Sequence, residues 1–168
     1  MGGVEKNVVE AINLLNMLAD FNYVPAQIDL ALHLLNGQNI EKNQDRAESI
    51  LEIAINSNDP YAMLWYSTII SNDEDRLEDS NHYLELSLNS CQAPEAWAVY
   101  GQKLVESGQY ENALDPLYYG MQVGSINAFI SFGNLCEIDS QYGDPSIFFK
   151  CASDRCHALG NCGFYFPL

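Results

Sequence analysis

Positive charge is scarce in this chain. Seven lysines and arginines stand against 23 aspartates and glutamates, for a formal charge of −16 and an isoelectric point near 4.2. Such a surface repels nucleic acid and anionic lipid, and it draws cationic partners over a Debye length of about 8 Å in physiological salt. Long apolar runs are missing too. Nothing approaches the roughly 18 consecutive apolar residues of a membrane-spanning helix. The N-terminal Met-Gly-Gly opens no charged-then-apolar leader pattern. A myristoylation signal fails at Lys6, where serine or threonine is required. Catalytic signatures are equally sparse. No G-x-S-x-G, H-E-x-x-H, S-x-x-K or P-loop occurs, which argues against the hydrolase and nucleotide-binding classes those motifs mark. His33, His82 and His157 sit at unrelated positions and do not read as a ligand set. The acidic run at Asp73, Glu74, Asp75, Glu78 and Asp79 lacks the turn glycine and terminal glutamate of a calcium loop, so a solvated turn is expected there.

What the chain does have is an echo. EKNVVEA at 5–11 returns as EKNQDRA at 41–47. Counting from the alanine that ends each copy, the frame continues through Ala11, Ala47, Ser80, Ala113 and Pro145, at spacings of 36, 33, 33 and 32. Four residues on stand Leu15, Leu51, Leu84, Leu117 and Phe149. Seven on stand Leu18, Ala54, Ser87, Gly120 and Ala152, mostly small. A second frame interleaves with the first: Ala26, Ala62, Ala96 and Ala128, followed at +4 by Leu30, Tyr66, Tyr100 and Phe132. At +5 come Ala31, Ser67, Gly101 and Gly133, and at +8 Leu34, Ile70, Leu104 and Cys136. Steps of four, then three or four, lie on one helical face. Small residues at matched slots let two helix axes approach to roughly 8–9 Å. Asn22, Asn58 and Gly124 suit left-handed helix ends, and Pro25, Pro60, Pro94 and Pro145 suit first turns. A period of this length predicts helical hairpins that must stack to bury their faces.

The unit PAQIDLALHLLNGQNIEKNQDRAESILEIAINSNDPYA resembles a Sel-one-like repeat, a relative of the tetratricopeptide repeat. Residues 23–58 carry the resemblance best, through Ala26, Leu30, Gly37, Lys42, Ala47, Leu51, Ala54 and Ala62; Ala31 and Asn43 depart from the usual glycine and aspartate. The resemblance implies an all-α, right-handed superhelix of about four and a half repeats in a single domain. Residues 1–22 form a half-repeat or cap, 23–58, 59–92, 93–124 and 125–156 the repeats, and 157–168 a tail folding back over the last hairpin. In tetratricopeptide relatives the first helices line a concave groove. By that analogy the groove holds Tyr61, Leu64, Thr68, Glu95, Ala98, Gln102, Asn127, Ile130 and Asn134, with Trp65 at its edge. Trp97, Met63 and Phe129 share one slot and are expected in the core.

Four of five cysteines crowd the last 33 residues: Cys136, Cys151, Cys156 and Cys162, with Cys91 apart. Bridges 136–151 with 156–162 are one arrangement; 136–156 with 151–162 is another; five reduced thiols are the third. Localisation follows the same fork: periplasmic if a leader was removed and the cysteines are bridged, otherwise cytoplasmic. The resemblance is specific for fold and nearly silent on function. The reading carried forward is a non-enzymatic protein-binding module without cofactor, metal or nucleic-acid partner, its oligomeric state open. Its sharper form is an acidic immunity protein that caps a basic effector toxin, steered by the carboxylates of 73–79. A generic scaffold or regulatory adaptor is the alternative in the same class. A cysteine-rich secreted relative with β-lactam-binding or hydrolase activity is the alternative in another.

Overall fold

Where the two frames predict helices, the structure, a computed structural model, has them. It describes residues 2–37, 39–90 and 93–159. Among these the chain forms α1 (Gly2–Asp20), α2 (Val24–Asn36), α3 (Gln44–Ala54), α4 (Pro60–Ile70), α5 (Leu77–Asn89), α6 (Pro94–Glu106), α7 (Tyr110–Gln122), α8 (Ile126–Ile138) and α9 (Pro145–Leu159). Three single-turn 3-10 helices, Ile55–Ser57, Glu74–Arg76 and Ser140–Tyr142, complete it, with no strand among the described residues. The expected tail at 157–168 lies almost wholly outside them.

Helix ends follow local chemistry. Asn22 and Asn58 adopt left-handed φ of 58° and 55°, closing α1 and the turn after α3. The Asn43 side chain accepts the Arg46 N–H at 2.9 Å, and Asp59 accepts the N–H groups of Tyr61 and Ala62 at 3.0 Å each. These caps satisfy donors that no helical turn can reach. Pro25, Pro60 and Pro94 sit in first turns, as expected.

The chain divides into two compact units, Met1–Gln92 and Ala93–Leu168. The division falls between α5 and α6. In the first unit α1 packs on α2, α2 on α3, α3 on α4 and α4 on α5. Its core gathers Leu30, Ala31, Leu34, Ala47, Leu51, Ile69 and Ile70. In the second, α6, α7 and α8 pack mutually and α9 closes on α8. Ala98, Ala113, Leu117, Ala128, Phe132 and Leu135 form that core.

The small slots are contacts. A methyl group added at Gly101 would sit 2.5 Å from Leu117, and one at Gly120 would sit 2.8 Å from the Ala128 Cβ. In α5 the slots are filled by serines that also bond. Ser87 Oγ donates to the Pro60 carbonyl at 2.7 Å and Ser80 Oγ to the Ser67 carbonyl at 2.9 Å, both buried. A hydroxyl there fills a methyl-sized gap and ties α5 to the α4 backbone. Three frame residues are exposed. Tyr100 is exposed, and on α1 both Ala11 and Leu18 are exposed although their equivalents on α3, α5 and α7 are buried.

Candidate functional site

The expected groove residues lie on three first helices. Tyr61, Leu64, Trp65 and Thr68 belong to α4, in the first unit. Glu95, Ala98 and Gln102 on α6, and Asn127, Ile130 and Asn134 on α8, belong to the second. Eight of these ten are half-buried. Two require correction: Leu64 and Ala98 are buried, Ala98 as part of the second unit's core. The +2 slot thus serves packing on α4 and α6, because apolar side chains at that angle meet neighbouring elements before solvent. Neither residue can be a partner contact. Trp65 packs partly against the first unit's core, and Thr68 Oγ1 bonds the Leu64 carbonyl at 2.9 Å.

On α6 the site has a polarity that the slots did not reveal. Glu95 Oε2 and Gln102 Oε1 are both buried oxygens without a hydrogen-bond donor. The Gln102 amide is oriented by its other end, Nε2, which donates to Glu106 Oε1 at 3.2 Å. Turning the amide over would set oxygen against carboxylate, so Oε1 is held inward. Seven residues separate Glu95 from Gln102, two helical turns or roughly 10 Å on one face. Ala98 lies between them as a small, buried floor. A buried acceptor without a donor costs about 1–3 kcal/mol. Half-buried Lys103 follows on the same helix. Burial pulls its ammonium pKa down, and nearby Glu106 partly restores it.

The acidic turn keeps its charge outward. Asp73, Glu74, Asp75, Glu78 and Asp79 are all exposed. Arg76, in their midst, turns away. It pairs with Glu48, donates to the Tyr66 hydroxyl at 2.8 Å and lies over the Tyr66 ring at 5.7 Å. Burial pushes the Tyr66 phenol up, and Arg76 opposes that shift. Acidity is concentrated in the first unit, where fifteen carboxylates face four basic side chains; the second unit has eight and three.

Several other expectations resolve here. Trp97 and Phe129 are half-buried rather than sealed, Trp97 edge-on to Tyr119 at 4.7 Å and Phe129 beneath Arg155 at 4.7 Å, whereas Met63 is buried. Cys136 and Cys151 are free thiols. Neither the 136–151 nor the 136–156 bridge is present, and Cys136 packs in the core of its unit. Burial pushes its thiol pKa up, with Asp144 adding to the shift. The pairings with Cys162, and Cys91 itself, lie outside the described residues. His33 is half-buried on α2 and His82 exposed beside Tyr83; the His157 side chain is not among those described. No group of three His, Cys, Asp or Glu among the described residues could hold a metal ion, and no described helix is long and apolar enough to cross a membrane. Sequence reasoning also missed a wide-open depression of about 340 Å³ lined by Gly108, Gln109, Tyr110, Glu111, Asn112 and Tyr142. Its residues come from a turn and two helix ends, which no periodicity marks.

No protein-family model and no curated protein matches the chain. Among solved structures it is similar to a Sel1 repeat protein from Oxalobacter formigenes, with a TM-score of 0.60 and 18% identity, over 90% of this chain and 68% of that one. The architecture is therefore that of a Sel-one-like repeat, an all-α fold of stacked helical hairpins.

Proposed function

We propose that this chain is a protein-binding module whose α6–α8 face receives a partner segment rich in hydrogen-bond donors. The observation that carries the reading is the pair of buried acceptors on α6, Glu95 Oε2 and Gln102 Oε1. Main-chain N–H groups of an extended segment, or two arginine side chains, would satisfy both once the half-buried Glu95 and Gln102 side chains turn their shielded oxygens outward. Asn127, Ile130 and Asn134 on α8, the helix packed beside α6, add further polar and apolar contact. Tyr61, Trp65 and Thr68 on α4 offer a second, more aromatic contact surface. The carboxylates of Asp73–Asp79 steer a basic partner toward the first unit without anchoring it.

The finer reading is an inhibitor of immunity type that neutralises a basic secreted effector. Its support is the net charge of −16 on a small chain of repeats with no catalytic motif. Co-expression with the product of a neighbouring gene tests it: restored growth against a toxic basic product supports inhibition, and unrelieved toxicity rejects it. The binding surface is tested by kinetics at two ionic strengths. Glu95→Ala, Gln102→Ala, Tyr61→Ala and Trp65→Ala should speed dissociation, an anchor costing about 2 kcal/mol or more. The Asp73/Asp75/Asp79→Asn triple variant should slow association and flatten its salt dependence. Full affinity in all four single variants would move the interface elsewhere.

A further inference from the structure

Three of the second helices keep both small slots covered. On α3 the slots are Ala47 and Ala54, on α5 Ser80 and Ser87, on α7 Ala113 and Gly120, and all are buried. α3 lies between α2 and α4, and α7 between α6 and α8. α1 has the same frame and packs on α2 through a stripe that includes Ile12, Leu15 and Ala19. Its opposite stripe is bare. Ala11 is exposed, Leu14 is 59%, Met17 54%, Leu18 43% and Phe21 77% exposed. Phe21 lies just past the helix end but keeps the register, its N–H bonded to the Met17 carbonyl at 3.2 Å. Residues 11, 14, 18 and 21 step by three, four and three, the spacing of a helix–helix seam.

We infer that this stripe pairs with the same stripe of a second copy, α1 against α1 in antiparallel array about a two-fold axis near Asn16. Three observations select that occupant. The first is size. A repeat-type first helix approaches closely, and the +7 slot is Ala, Ser or Gly wherever the described structure shows such a helix in contact. α1 has Leu18 there, which suits a wider seam between leucines. The second is self-complementarity, which an isologous contact demands. Antiparallel pairing about Asn16 sets Ala11 opposite Phe21 and Leu14 opposite Leu18, small against large and like against like. The third is charge. Two chains of −16 repel, so contact requires facing surfaces without carboxylates, and residues 11–19 contain no charged side chain. Glu10, at the edge of the stripe, falls opposite Asn22. The two copies of Glu10 then lie about 18 Å apart along the pair, beyond the Debye length of about 8 Å. Parallel pairing would set Glu10 beside Glu10.

The four large side chains expose roughly 500 Å² per copy, so a dimer would bury about 1,000 Å², the low end for a specific interface. A reversible dimer follows, forming with rising concentration and favoured by salt, which screens the repulsion.

Sedimentation equilibrium of the full chain from about 5 to 500 µM tests it. The wild type should shift from monomer to dimer, more readily at high salt. Leu14→Glu/Leu18→Glu and Leu14→Lys/Leu18→Lys should each remain monomeric while keeping the wild-type helical circular dichroism. Mixing these two variants should restore a dimer, since position 14 of one meets position 18 of the other with opposite charge. That rescue separates loss of the interface from loss of the fold. A wild type monomeric throughout, a dimer that survives either variant, or a mixture that stays monomeric would each overturn the inference.

Discussion

Gly120→Ala puts the repeat logic under direct load. The added Cβ would stand 2.8 Å from the Ala128 Cβ on α8, and on the other side 3.4 Å from the Trp97 Cβ and 3.6 Å from the Ala98 nitrogen on α6. Ordinary contact begins near 3.4 Å, so α7 and α8 must separate by at least 0.6 Å. No rotamer offers relief, because alanine has none, and retreat from α8 drives α7 into α6. On an exposed helix the same change would stabilise by about 1 kcal/mol through propensity. Overpacking a close-packed core costs about 1–3 kcal/mol, and the lack of a flexible neighbour puts this site at the upper end. The net expectation is a loss of about 1–2 kcal/mol. For a cooperative unit of 60–100 residues that is a fall in melting temperature of roughly 4–15 °C. Thermal unfolding followed by circular dichroism measures it. Gly133→Ala is the internal control: its Cβ would meet the Phe149 ring at 2.6 Å, yet that half-buried ring can swing outward. An unchanged or raised melting temperature for Gly120→Ala, or a larger loss for Gly133→Ala, would refute the account of the small slots.

Other outcomes follow from single contacts. Gly101→Leu should destabilise by about 1–3 kcal/mol, because even its first carbon would meet buried Leu117 at 2.5 Å; chemical denaturation reads this. Ser87→Ala should cost about 1 kcal/mol by removing the buried bond that its hydroxyl donates to the Pro60 carbonyl, and an unchanged denaturation midpoint would show that the hydroxyl only fills space. Asp144 is bonded by the Ser146 side chain and by the Ser146 N–H at 2.9 Å in the first turn of α9, and these bonds, the side chain's first, hold its carboxyl below the ordinary 3.8. A depressed carboxylate stabilises above 3.8 and stops doing so as pH falls through the lower folded value. The melting-temperature gap between wild type and Asp144→Ala should therefore be full at pH 6 and narrow steadily below pH 3.8; a gap independent of pH would contradict it. With a thiol reagent on native protein, half-buried Cys151 should react well before Cys136, which is buried and whose thiol is pushed up; the reverse order would place Cys136 outside the core.

The helices were legible because the pattern that makes them is local and repeated. Ala47, Leu51 and Ala54 mark one face by spacing alone, and the same intervals recur at Ala113, Leu117 and Gly120. Turn chemistry was legible for the same reason: Asn58 takes a left-handed conformation whatever lies beyond it. The site was less legible, because exposure is decided by what packs on a residue from elsewhere in the chain. Leu64 and Thr68 sit one turn apart on α4, and analogy put both in the groove. The structure buries the first and leaves the second half open. Cys136 and Cys151 show the same limit. Their clustering in sequence says nothing about the direction of each thiol, and Cys136 points into the core.

The buried acceptors on α6 could not have been read from spacing at all. Glu95 and Gln102 look like surface residues on a polar helix, and what distinguishes them is which oxygen is left without a donor. That turns on Glu106, which takes the Gln102 amide hydrogen and leaves the carbonyl end inward. The proposed mode of binding divides accordingly. Attraction over many ångströms needs exposed like charges and tolerates loose geometry, which the carboxylates of 73–79 provide. Discrimination at contact needs acceptors already stripped of water and fixed in direction, which a surface carboxylate cannot supply. In the proposed mode Glu95 and Gln102 meet that second requirement: the cost of holding them unbonded favours a donor-bearing partner, which their half-buried side chains turn outward to meet.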